Sequence, residues 1–265
     1  MYNVFIKIMQ AKQPFLSVII PSYNEVANLE RRCLDEVVDY LEKQSYRYEI
    51  ILSDDGSTDD TIKLLRDWQE KFVPKLKKGV ILLLKNPHGG KVFAVRAGVK
   101  AATGRWKLFT DFDQSTHINQ IEKLFSFQND GFDIIFGSRR LNESLVKAKW
   151  YRRLAGNTFN WLTRQLLGLK IHDTQCGFKM FNQKSAKLFD KLQVYGRSDS
   201  DAKGAFTGAF DVELLYLAKK NGLKCKEVPV AWQHYATKRV SLIKDSIKMF
   251  LDILKIKQAD RQGRY

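Results

Sequence analysis

No stretch of this chain approaches the roughly 18 consecutive apolar residues of a membrane-spanning helix. The longest candidate, Val80 to Leu84, is the length of a strand. At the N-terminus Lys7 interrupts the one apolar stretch and no small-residue cleavage site follows, so no signal peptide is expected. The cysteines number three, Cys33, Cys176 and Cys225, far apart in the chain. They fit neither a disulfide framework nor a zinc-ligand spacing, and a reducing cytoplasm is the natural setting. There is no G-x-x-x-x-G-K-[ST] loop and no G-x-G-x-x-G after the first predicted strand, which argues against P-loop and dinucleotide enzymes. No local Ser–His–Asp or Cys–His arrangement appears, and no RNP-like, zinc-finger or recognition-helix signature, so nucleic acid is not an expected partner.

Acidic residues are also short: 29 Asp and Glu against 45 Lys and Arg give a net charge of +16. That imbalance suggests an anionic partner, a lipid surface or a phosphorylated substrate, or else a basic and merely soluble surface. Apolar residues make up 44% of the chain, enough for a sizeable core.

The first half alternates between two hydrophobic periods. Phe15–Ile20, Glu49–Ser53, Val80–Leu84, Trp106–Thr110 and Phe132–Phe136 read as strands. Between them Cys33, Leu34, Val37, Val38 and Leu41 recur at helical spacing, as do Ile62, Leu65, Trp68 and Phe72, and Val92, Val95 and Val99. Ser57 or Thr58 is placed to cap the second of these helices. Such alternation predicts an open, largely parallel sheet with helices on both faces. Ligands of such sheets bind beyond the carboxyl ends of the strands. The polar segments Pro21–Glu25, Asp54–Ser57, His88–Lys91 and Asp111–Asp113 all fall there.

Asp111-Phe112-Asp113 offers two carboxylates one residue apart, hard oxygen ligands suited to Mg²⁺ or Mn²⁺ bridged to substrate phosphates. In isolation such a pair is more often solvated; its place after the fourth strand favours the metal. Asp54-Asp55-Gly56-Ser57 can accept hydrogen bonds from a base or ribose, or simply form an Asp-Gly turn and a helix cap. His88-Gly89-Gly90-Lys91 can wrap a phosphate at a helix N-terminus. The second half differs. Residues 144–170 interleave basic residues with Trp150, Tyr151 and Trp161, and 239–257 place Ile243, Ile247, Phe250 and Leu254 on one helical face. No repeat or linker divides the chain.

Taken together, Pro21-Ser22-Tyr23-Asn24-Glu25, Asp54-Asp55-Gly56-Ser57-Thr58-Asp59, Gly90-Lys91, Asp111-Phe112-Asp113 and Gly137-Ser138-Arg139 resemble family 2 glycosyltransferases over roughly residues 15–235. Asp173-Thr174-Gln175-Cys176-Gly177-Phe178-Lys179 and Phe210–Leu215 are similar to the dolichyl-phosphate β-glucosyltransferase and polyprenyl-phosphate branch. The resemblance implies an α/β fold of GT-A type, Rossmann-like, with a mostly parallel central sheet flanked by helices. It implies one catalytic domain over 1–265, with the basic segments 144–170 and 239–257 at a membrane surface. It implies inverting transfer of a hexose, with UDP-glucose the favoured donor, to a polyprenyl or dolichyl phosphate. GDP-mannose or another donor, or a saccharide acceptor, is the alternative, and a saccharide would need Asp173 or Asp211 as base.

By the same resemblance, Pro21, Tyr23, Glu25 and Asp54 surround the base and ribose, with Asp55 and Lys91 close by. Asp111 and Asp113 hold the metal and diphosphate. Arg139 and Arg152 face the acceptor phosphate, where Gly156 replaces a hydroxyl of the relatives. Gln175, Asp211 and Glu213 border the sugar. The polar stretch Tyr195–Thr207 is expected to act as a lid. The N-terminal anchor or C-terminal spans of relatives are not expected here. The protein is then peripheral on the cytoplasmic face of a membrane, alone, as a homo-oligomer or with a membrane protein.

Overall fold

The computed structural model describes residues 13–141, 144–147, 150–195, 209–233, 235 and 242–265; for 147, 150–158 and 242–246 it describes the backbone alone. The elements run β1 (Leu16–Ser22), α1 (Val26–Glu30), α2 (Cys33–Glu42), β2 (Tyr48–Asp54), α3 (Thr61–Phe72), β3 (Gly79–Lys85), α4 (Lys91–Ala101) and β4 (Trp106–Thr110). Then follow α5 (Ile121–Phe125), β5 (Ile134–Ser138), β6 (Val146–Lys147), α6 (Trp150–Leu167), β7 (Phe178–Phe181), α7 (Gln183–Ala186), α8 (Phe210–Lys220), β8 (Cys225–Pro229), β9 (Trp232–Gln233) and α9 (Leu242–Arg261).

Seven strands form one sheet in the order β3-β2-β1-β4-β7-β5-β8, and β6 pairs with β9 beside it. All pairings in the large sheet are parallel except those of β7, which runs antiparallel to both β4 and β5. The expected parallel sheet is therefore present with one reversed strand. That reversal matters, because β7 starts at the edge where β1, β2 and β4 end.

Successive strand residues point to opposite faces. Ile19 of β1 joins one apolar cluster with Val92, Val95 and Val99 of α4. Val18 and Ile20 join the other, with Leu34, Val37 and Leu41 of α2 and Leu65, Trp68 and Phe72 of α3. Both faces of β1 are thus covered, which is why it is a continuous apolar run rather than an alternating one.

The predicted strands shift at their ends. β1 runs through Pro21 to Ser22, because Pro21 needs no amide to pair with Ser53. β5 begins at Ile134 rather than Phe132, since Asp133 is spent on the Asn182 side chain and the Lys224 amide. The helix expected to start at Ser57 or Thr58 starts at Thr61, as both hydroxyls are engaged with the first loop instead. On α9 the buried face carries Ile253, Ile256 and Ala259, while Ile247 and Leu254 face outward. Ile243 lies outside the residues with described side chains.

Candidate active site

The order reverses direction between β1 and β4: β2 and β3 follow outward on one side, later strands on the other. Ligands of doubly wound sheets lie at this switch point. All four polar segments singled out in the sequence stand there.

The Pro21–Glu25 and Asp54–Ser57 loops are sewn together. Asp54 is fully buried, and its carboxylate accepts from Ser22 Oγ (3.1 Å), Ser57 N (2.9 Å) and Ser57 Oγ (2.5 Å). Ser57 Oγ in turn accepts from the Asn24 amide at 2.9 Å, and Thr61 Oγ1 from the Glu25 amide at 2.6 Å. Asn24 takes a left-handed φ of 54°, which asparagine tolerates better than most residues. Glu25 is nearly buried beside Asn28, which donates to it at 2.5 Å. Pro21 is buried in β1.

Asp55 fastens the third segment. Its carboxylate accepts from Gly89 N at 2.9 Å and lies 2.9 Å from His88 Nδ1, which is also 3.0 Å from the Asp55 carbonyl. Two acceptors around Nδ1 place the proton on that nitrogen. Burial pushes the Asp55 carboxyl up despite these bonds. Gly56 closes the loop at φ 71°, where a Cβ would come within 2.8 Å of His88 N. His88 then stacks on Tyr23, with centroids 4.5 Å apart and planes 18° apart. A half-buried aromatic ledge results, suited to a flat ring. Asp54 and Asp55 build this ledge rather than line it. The sequence marks His88 only as the start of the His88–Lys91 turn; the partners of its ring, Tyr23 and Asp55, lie far away along the chain, and no local signal marks the stacking.

Beyond β4, Asp111 meets Lys91 at the first residue of α4, Nζ to Oδ1 2.5 Å. Asp113 accepts from Ser115 N at 2.9 Å. Burial, then the neighbouring charge of Asp111, pushes the Asp113 carboxyl up. Burial opposes the Lys91 charge, yet Asp111 outweighs it and its ammonium is held above the ordinary range. Phe112 between the aspartates turns into the core. Gln114, at φ 50°, donates to the Asp111 carbonyl at 2.8 Å and fixes the turn.

The start of β7 passes directly over this pair, with the Asp111 amide donating to the Gly177 carbonyl at 3.2 Å. A Cβ on Gly177 would lie 2.1 Å from Asp111 Oδ2, so only glycine leaves the carboxylate its place. Gly177→Ala is expected to displace Asp111 and cut turnover about a hundredfold, with an unfolding midpoint close to the parent's. Kinetics and thermal unfolding on one preparation check this, and full activity would contradict the placement.

Below the aspartates Asp211 pairs with Lys179, 2.8 Å apart, both buried. Lys179 also donates to the Cys176 carbonyl at 2.5 Å. Burial drives the Asp211 carboxyl up against the pull of Lys179 and Lys91. Arg139 grips the fully buried Asp173 bidentately, Nε–Oδ2 2.7 Å and Nη2–Oδ1 2.9 Å, and its own amide adds a third bond at 2.9 Å. Burial opposes the Asp173 charge, but Arg139 outweighs it and holds the carboxyl well below the usual range.

Gln175 donates from its amide to Asp173 at 3.2 Å and from its side chain to Met249 Sδ at 3.6 Å. Glu213, expected beside a sugar, points inward to the amides of Gln193, Val194 and Tyr195. Arg152 and Gly156 sit on α6, outside the residues with described side chains; of Tyr195–Thr207, only Tyr195 is described.

The glycosyl transferase family 2 profile matches residues 17–189. The chain belongs to glycosyl transferase family 2. This family 2 glycosyltransferase is 33% identical to a dolichyl-phosphate beta-glucosyltransferase of Saccharomyces cerevisiae over 95% of its own length and 76% of the relative's. It is 34% identical to the Homo sapiens protein of the same name, over 91% and 74%. Among solved structures it resembles glucosyl-3-phosphoglycerate synthase of Mycobacterium tuberculosis with bound UDP, TM-score 0.59, 18% identity, covering 92% of this chain and 80% of that one. That likeness is one of fold, and the glycosyltransferase has the GT-A architecture expected from its sequence.

Among the described residues no group of three or more His, Cys, Asp and Glu is placed to hold a metal. Two close carboxylates, one raised by the other's charge, nonetheless fit a dication that takes its remaining oxygens from water and a diphosphate. They do not fit a closed structural zinc site.

Proposed function

We propose that this glycosyltransferase moves glucose from UDP-glucose to dolichyl or a similar polyprenyl phosphate with inversion, at a membrane surface. The observation that carries the reading is the Lys91–Asp111–Asp113 group at the switch point, beside the Tyr23–His88 ledge. The ledge takes the uracil ring and the Asp111–Asp113 turn the diphosphate end. Asp111 and Asp113 would hold Mg²⁺ or Mn²⁺, which would supply positive charge against the departing diphosphate. Lys91 adds a positive charge at the N-terminus of α4, where anions are favoured. Pro21, Glu25, Asp54 and Asp55 shape the nucleotide pocket, and Gln175 and Asp211 border the sugar.

The charge pairing bears on the acceptor. Asp173 is fully buried and held by Arg139; Asp211 is held by Lys179. Protonating Asp211 would strand the buried Lys179, and Arg139 holds Asp173 well below the usual carboxylate range. Asp211, though raised by burial, is engaged by Lys179, so a nucleophile that is already an anion fits best, and a phosphate ester needs no base. Its oxygen attacks the anomeric carbon as the bond to the diphosphate breaks, which inverts that centre. Arg152 is assigned to the acceptor phosphate; Arg139 contributes through the field of its Asp173 pair.

The lipid acceptor requires a surface contact. No described helix is long and apolar enough to cross a membrane. Yet Trp161 of α6 is 60% exposed, and Ile247, Leu251 and Leu254 of α9 form an outward stripe between 40% and 57% exposed. An open groove of about 430 Å³ beside it is lined by Leu166, Leu254, Lys257, Gln258 and Arg261. Apolar side chains bordered by cations fit the headgroup boundary of an anionic bilayer.

The test presents dolichyl phosphate in anionic or neutral vesicles with Mn²⁺ and a panel of nucleotide sugars. UDP-glucose in anionic vesicles is expected to give the most glycolipid, and Ile247→Ser with Leu251→Ser to lower glycolipid formation in both kinds of vesicle. Turnover of GDP-mannose alone, or of a saccharide acceptor alone, contradicts the reading.

A further inference from the structure

The first turn of α8 carries two acidic residues with different surroundings. Asp211 lies in the site beside Lys179; Glu213, fully buried, faces away from it. Among the described residues no cation pairs with Glu213. Its Oε1 accepts from Gln193 N at 2.6 Å, Val194 N at 2.9 Å and Tyr265 Oη at 2.7 Å, and its Oε2 from Tyr195 N at 3.1 Å. A carboxylate buried without a counter-ion is costly unless its hydrogen bonds are fully made. Four donors meet that condition, three of them consecutive backbone amides.

The Tyr195 side chain then turns back on the same helix end. Its hydroxyl accepts from the amide of Ala209 at 2.6 Å, the residue just before α8, and donates to Asp252 of α9. Phe210 beside it packs on Phe109 of β4, centroids 6.0 Å apart, one residue before Thr110 and the aspartate pair. The first turn of α8 is therefore held from three directions: by β4, by residues 193–195 and by α9 with the terminal Tyr265.

We propose that Glu213 and Tyr195, completed by Asp252 and Tyr265, are positioning residues that hold Asp211 in its place on Lys179 within the site. The proposal rests on the reading of Asp211 as a sugar-side residue of the donor site. No substrate contact is assigned to the clamp itself. Its effect on the reaction passes through Asp211, whose reach to the site is fixed by the register of a single helical turn. Misplacing a group by an ångström is enough to cost about a hundredfold in rate.

The test uses Tyr265→Phe and Tyr195→Phe, which delete one hydroxyl each, in the full chain and in an Asp211→Asn background. Glu213→Gln is a third variant, but it can fail to fold, so the tyrosine pair decides. Loss of a bond to a charged group predicts a kcat lower by roughly tenfold or more for Tyr265→Phe, with UDP affinity unchanged within about twofold. In Asp211→Asn the same change should cost nothing further, since coupled residues are non-additive. Unchanged kcat, or an equal loss in both backgrounds, overturns the proposal and leaves Glu213 as a purely structural carboxylate.

Amide hydrogen exchange at Gln193, Val194, Tyr195 and Ala209 reads the clamp without turnover. Faster exchange at all four in Tyr265→Phe is expected, and no change contradicts the clamp. If the parent protein transfers nothing from UDP-glucose while exchange behaves as expected, the donor assignment has failed and the clamp has not.

Discussion

Asparagine at Asp111 or Asp113 is expected to lower turnover by about 10²- to 10³-fold, the scale of losing one electrostatic stabiliser of a developing charge. An amide is a poor dication ligand, and each variant leaves one carboxylate where two are needed. Stability should separate this effect from unfolding. Burial and the charge of Asp111 push Asp113 up, so the ionised form is disfavoured in the folded protein. Removing the charge at 113 should leave the unfolding midpoint equal or higher at pH 7. EDTA should reproduce the loss in the parent protein, with Mn²⁺ or Mg²⁺ restoring it. Near-normal rates in either variant, or full activity in EDTA, would sink the metal assignment.

The second large effect concerns stability. Arg139→Ala leaves Asp173 fully buried without its cation, retaining the Arg139 and Gln175 amides as donors. Breaking one side of a buried pair costs about 3–5 kcal/mol. The pH dependence has a defined sign. In the parent, the depressed carboxyl of Asp173 contributes stability fully present above the ordinary carboxylate pKa of about 3.9. That contribution is lost as pH falls below it toward the depressed value. In the variant the same carboxyl is raised by burial, so its ionised form is the costly one. The gap between parent and variant should therefore be widest near pH 7 and narrow toward pH 4. Urea unfolding at several pH values measures it. A gap below about 1 kcal/mol at pH 7, or one that widens in acid, would mean that the pair is not buried as described. Such a variant would also lose activity through instability, so a KM shift for lipid phosphate is read only where the variant is folded.

How much of this was legible without coordinates differs between the two halves. Strands β1, β2 and β4 are buried along their whole length, so they appear as largely apolar runs bounded by polar loops, and their ends mark the site. Strand β7 hides because Lys179 sits in its middle, buried only because Asp211 meets it from α8. Strand β8 reads Cys-Lys-Glu-Val-Pro, the half-polar pattern of an edge strand. The Asp111–Asp113 pair was visible because two carboxylates follow a strand. That Asp54 and Asp55 also tie the site loops together is not legible in the sequence, since their partners Ser22 and His88 lie far away along the chain. Glu213 misled for the same reason: its donors come from residues 193–195 and from the last residue of the chain. On α9 Ile247 and Leu254 of the stripe read from the sequence face outward, and a second stripe of Ile253 and Ile256 supplies the core.

The most direct measurement incubates the protein with UDP-glucose labelled in the sugar, dolichyl phosphate in anionic vesicles and Mn²⁺. The lipid phase is then extracted and its glycosidic linkage assigned by NMR. The account predicts one glucose per lipid phosphate in β-linkage, formed at a rate that follows the lipid phosphate concentration and vanishes in Asp113→Asn. Label confined to the aqueous phase, or an α-linked product, would contradict it.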